Sequence, residues 1–218
     1  MRPTFDRELQ RLQDEVLRMG SEVQDHILKM TYAFVERDLV TAQRMIDADQ
    51  SINERRITIG LDALRLIATQ SPMAGDMRMI AAILETVGEL ERIHDYVKGI
   101  GKISLTIGPE PIPAPLAQKL PEMGETAGEM LFQALKAFAN RDEALARRVP
   151  AMDDRVDGLF NELYEAIIAI VLADPPQIQR AGRLEWALHN LERAADRTIN
   201  ICEWVVYLVT GVYAEMDE

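Results

Sequence analysis

Two segments carry nearly the same acidic pattern, GELERIHDYVKGI at 88–100 and HNLERAADRTINI at 189–201. In each, an Asp follows the Glu of an LER triplet by four residues, so Glu91 with Asp95, and Glu192 with Asp196, stack on one face of a helix. Two carboxylates held side by side near apolar residues need a compensating positive charge, because ionised groups leave water at a cost of several kcal/mol. A multivalent cation is one natural solution.

These pairs must be positioned by the elements around them. Residue n aligns with n+104 at FVERD (34–38) against FANRD (138–142) and at DQSIN (49–53) against DDRVD (153–157), and the offset becomes 101 around the LER segments. Such a period reads as two copies of one small domain. Helical spacing dominates, and six long helices are expected: about Phe5–Glu36, a second capped by Asp38 to about Thr69, and a third started by Ser71-Pro72 and running to about Leu105. The others span about Leu116–Ala139, Asp142–Leu172 and Pro176–Thr210, with Gly211 as the stop. The predicted fold is all-α, two tandem three-helix bundles at 1–106 and 116–218 joined by the Pro-rich linker 107–115. Gly20 is expected to mark a bend in the first helix.

Antiparallel helices joined by a short turn bring residues equidistant from that turn to one level. Asp49 with Asp95, and Asn53 with Glu91, are both centred on Pro72; Asp153 with Asp196, and Asp157 with Glu192, are both centred between Asp174 and Pro175. Each hairpin thus opposes two oxygen pairs, a donor set suited to Mg, Mn, Ca or Fe, with Zn as a further candidate. His189, three residues before Glu192, offers a nitrogen to the second set, and His94 stands in the corresponding reach of the first. The first set is the weaker, with neutral Asn53 in place of an acid. Exposed salt bridges to Arg92 and Arg193 are the alternative use of these acids.

Composition narrows the partners. With 36 Asp+Glu against 24 Lys+Arg the net charge is −12, which disfavours nucleic acid and anionic bilayers. Cys202 is the single cysteine, so no internal disulfide forms, and it is expected to be a small core residue. No apolar leader or membrane-length run is visible.

At these residues the chain resembles the PhoU family of phosphate-transport and phosphate-signalling regulators. LERIHDYVKGI, LERAADRTINI, SPMAGDMRMI and the ending EWVVYLVTG carry the resemblance over nearly the whole length. It implies two similar three-helix bundles whose E(D)xxxD motifs hold metal clusters, iron or another oxygen-preferring cation, at Glu91/Asp95, Asp153/Asp157 and Glu192/Asp196, with Asp49/Asn53 as an amide variant. It also implies a cytoplasmic negative regulator that couples a phosphate ABC transporter ATPase to a phosphate-sensing histidine kinase. The missing catalytic constellations argue against an enzyme, and the apolar ending around Trp204 and Leu208 offers a homodimer contact beside core packing. Asn200 matches the family's Asn after the motif Asp, whereas the first half has Gly99, and Arg78 resembles a family Arg facing a partner or the acidic cluster. A solvated Arg78 and a surface or boundary His26 are the simpler expectations. The competing readings are a carboxylate-bridged oxidase or hydrolase, for which Glu91-x-x-His94 supplies only half of a di-iron pattern, and a metal-independent helical scaffold.

Overall fold

The computed structural model describes residues 2–216, so the outermost positions of the expected repeats, 1, 217 and 218, lie outside the described residues. Six long helices account for most of the chain: α1 (Arg2–Glu36), α2 (Leu39–Gln70), α3 (Ala74–Thr106), α4 (Ala114–Asn140), α6 (Asp153–Ala173) and α7 (Ile178–Thr210), with a single turn, α5 (Glu143–Ala146), after α4. Helices α1–α3 pack together as one bundle and α4, α6 and α7 as the second, while one continuous apolar core runs through both.

The ends follow local chemistry. Asp38 Oδ1 accepts from the backbone N–H of Val40 and Thr41 and caps α2. The α2–α3 turn is finished by Asp76, which accepts from Met73 N–H at 3.0 Å, and α7 stops at Gly211, whose φ of 77° suits a residue without Cβ. One expected helix does not survive as a unit. The stretch 142–172 is split after Ala146, passes through a 3-10 turn at Pro150–Met152, and resumes at Asp153, because Pro150 has no N–H to give the preceding turn and its ring crowds that turn's carbonyl. Asp153 and Asp154 therefore open α6, where the positive end of the helix dipole favours carboxylates. Similarly, Pro175–Gln177 forms a 3-10 turn before α7.

The two bundles meet through repeat-related residues. Between α1 and α4, a Cβ on Gly124 would lie 2.5 Å from Thr31 Oγ1, and one on Gly20 would fall inside the Leu135 side chain. Adding 104 turns 20 into 124 and 31 into 135, so the two contacts are copies with the halves exchanged. Gly20 is thus a close-approach residue, and α1 continues through it. The same exchange occurs between α3 and α7: Asn200 Nδ2 donates to Glu89 Oε2 at 3.3 Å, and Gly99 faces Asn190, whose Oδ1 would be 2.8 Å from a Cβ at 99. Here the offset is 101.

The linker is tied down. Arg37 donates to the carbonyl oxygens of Ser104 and Gly108, Arg180 to those of Glu110 and Pro111, and Arg183 to that of Thr106. At the other end, Val205, Val206 and Leu208 are buried, and Trp204 packs against Tyr207 and Tyr213. The apolar ending of α7 is therefore core. Cys202 is buried there too.

Candidate metal centre

In the second hairpin, α6 contributes a buried Asp153 and an exposed Asp157 one turn on, and α7 contributes Glu192 and Asp196, with side-chain exposures of 22% and 13%. Burial pushes the Glu192 carboxyl up to about 7, and Asp196 adds to this; Arg193 opposes, and Asp157 and Asp153 push further in the same direction. The other three acids therefore all act on Glu192. Glu192 Oε2 is buried without a hydrogen-bond partner, and the exposed His189 places its Nδ1 3.3 Å away. Arg193 Nη1 donates to Asp196 Oδ2 at 3.0 Å.

An excess of buried negative charge with an undonated oxygen fits a hard cation. Among the described residues no three His, Cys, Asp or Glu groups stand as a ready-made chelate. Asn200 does not join this set; its amide crosses to Glu89 and lines a cleft of about 710 Å³ between α3 and α7, with Asp196, Arg197 and Glu203.

The first hairpin is different. Lys98 Nζ donates to Asp49 Oδ2 at 2.7 Å on α2 and to Asp95 Oδ1 at 2.8 Å on α3. Asn53 Nδ2 also donates to Asp49 Oδ2, at 3.1 Å. Burial works against an ionised Asp49, yet the Lys98 ammonium outweighs it and holds the carboxyl below its ordinary value. Glu91, half-buried, is raised by desolvation and then by Asp95, with Arg56 nearby at 3.9 Å. Lys98 lies three residues after Asp95, a spacing at which opposite charges meet on a helix; that signal was in the sequence and is easily passed over beside the more regular acids.

His94 and His26 form a buried pair, with His94 Nε2 3.0 Å from His26 Nδ1. His94 Nδ1 faces Asp49 Oδ1 at 3.5 Å, beyond hydrogen-bond length. His26 is thus an interior residue on α1, and nothing local could have announced a partner 68 residues away. His26 takes up Nε2 of His94, whereas Nδ1 is buried without a hydrogen-bond partner on the Asp49 side. Arg78 is also not simply solvated: its Nε donates to the Leu208 carbonyl at 3.3 Å, near the end of α7.

Desolvation, with His26 adding, pushes His94 down from 6.5 to about 4. A histidine depressed in the folded state favours folding above its unfolded value, and that contribution is lost as pH falls from about 6.5 through 4. In chelator-treated protein, His94→Gln should flatten the acid limb of urea stability relative to wild type, by a difference on the order of 3 kcal/mol between those limits. Parallel pH curves for the two proteins would reject this assignment.

An all-helical tandem repeat with two inward-facing acidic hairpins is the class that this fold and site define. The profile of the PhoU domain matches residues 16–104 and 120–205, and the chain belongs to the PhoU family. It is 31% identical over 217 residues to a phosphate-specific transport system accessory protein PhoU homolog of Streptococcus pneumoniae serotype 4, covering 100% of both chains. The Aquifex aeolicus homolog is 33% identical over 205 residues, covering 94% of this chain and 92% of its own. Crystal structures of the phosphate transport system regulatory protein PhoU from Streptococcus pneumoniae and of PhoU from Pseudomonas aeruginosa superpose with TM-scores of 0.89 and 0.87, each 30% identical. They cover 97% and 95% of this chain, and 100% of each structure is matched.

Proposed function

We propose that this chain is a cytoplasmic negative regulator of phosphate uptake and phosphate-starvation signalling, coupling a phosphate ABC transporter to a sensor histidine kinase. The observation that carries this reading is the match to relatives named phosphate-specific transport system accessory proteins over essentially their whole length. An acidic surface suits docking to basic faces of a transporter ATPase and a kinase, and no helix among the described residues is long and apolar enough to cross a membrane. The homodimer expected from the sequence belongs to the same proposal.

Asp153, Asp157, Glu192 and Asp196 would hold the metal, to which Glu192 would offer a buried oxygen that has no hydrogen-bond partner. Its part would then be structural and regulatory, drawing two helices together. Deleting the gene in its host should leave phosphate-starvation reporters active in phosphate-rich medium, with repression restored by the wild-type copy. Reporters that stay repressed in the deletion strain would reject the regulatory role.

A further inference from the structure

We propose that Lys98 is a built-in counter-cation that closes the first acidic cluster to metal. This rests on the reading of the second cluster as the ion-binding half, and it separates two hairpins that their spacing makes look equivalent. The Lys98 ammonium reaches carboxylates on both α2 and α3, at 2.7 and 2.8 Å, which is the bridging contact an ion would make. A second cation cannot share that gap without facing Lys98 at short range, where like charges repel strongly in a partly buried setting. Lys98 and Asp49 are only 23% and 13% exposed, so water screens that arm of the bridge less than the Asp95 arm, whose carboxylate is 49% exposed.

The surroundings agree. Asn53 turns its NH₂ group, a donor, toward Asp49 Oδ2, whereas a metal ligand must present an oxygen. Arg56 stands beside Glu91. In the second half the corresponding positions are Ile199 for Lys98, Asp157 for Asn53 and Phe160 for Arg56. The cationic side chains of Lys98 and Arg56 thus have apolar counterparts in the second half.

The test uses the full chain, stripped with chelator and titrated with Mn²⁺, with free Mn²⁺ read by electron paramagnetic resonance and folding checked by circular dichroism. Glu192→Gln with Asp196→Asn should remove nearly all tight Mn²⁺ binding. Lys98→Ile with Asn53→Asp, which copies the second-half residues, should add a new class of sites and raise bound Mn²⁺ about twofold over wild type. Its melting temperature should fall without Mn²⁺ and recover with it, while Lys98→Arg should bind no more than wild type. Tight Mn²⁺ that persists in Glu192→Gln/Asp196→Asn and disappears on adding Asp95→Asn would overturn the proposal. So would a folded Lys98→Ile/Asn53→Asp protein that binds no more Mn²⁺ than wild type. Mn²⁺ bound by that variant but not by wild type would keep the role of Lys98 and reject the metal reading of the second cluster.

Discussion

Replacing Glu192 with Gln and Asp196 with Asn is expected to lower metal affinity by more than ~100-fold while making the metal-free protein more stable. The two effects have one cause. Four acids converge from α6 and α7, and burial followed by Asp196 raises Glu192 to about 7. A carboxyl raised in the folded state contributes stability that is complete below its unfolded value, about 4.5, and lost as pH rises through 7. The chelated wild-type protein should therefore lose on the order of 2–3 kcal/mol across that window, and the double variant should not. At pH 8 this corresponds to a melting temperature roughly 5 °C higher for the variant in chelator, with the order reversed when Mn²⁺ is supplied to both. Equal melting temperatures in chelator at pH 8 would show that the acids do not repel one another as their positions require.

The second large effect is steric. Gly124→Val should destabilise the chain by about 3 kcal/mol, because its Cβ would meet Thr31 Oγ1, Cγ2 and Cβ at 2.5, 2.7 and 2.9 Å. Thr31 cannot swing aside cheaply, being buried and bonded through Oγ1 to the Ile27 carbonyl. Gly128→Ala, one turn along the same helix, meets only the flexible end of Leu28 at 3.3 Å. There the gain in helix propensity, roughly 1 kcal/mol, offsets the contact. Urea denaturation of both variants should separate them clearly, and equal losses would mean that α1 and α4 are not pressed together at Gly124.

What could be read from the sequence was whatever depends on local spacing. Period and caps are short-range properties, and they located the six long helices; the mirrored distances from Pro72 set Asp49 opposite Asp95, where Lys98 meets both. The break at Pro150 was equally local, but strong helical periodicity from Val156 onward masked it. Long-range partners were not legible: His26 finds His94, Arg78 finds Leu208, and Arg37 finds Gly108 across distances in the chain at which no periodicity speaks. Lys98 falls between these cases. Its contact to Asp95 follows from i,i+3 spacing, but its reach to Asp49 depends on how closely α2 approaches α3.

The exchanged contacts, Gly20 with Leu135 and Thr31 with Gly124, or Asn200 with Glu89 and Gly99 beside Asn190, have the form of an isologous interface, in which each patch meets its own copy. That is the signature of an ancestral symmetric pair whose subunits were fused by gene duplication. Two identical subunits must mutate together, since every substitution appears twice. Once fused, each half is free to change alone, and that freedom allows Lys98 to arise opposite Ile199 and Gly99 opposite Asn200 within one chain.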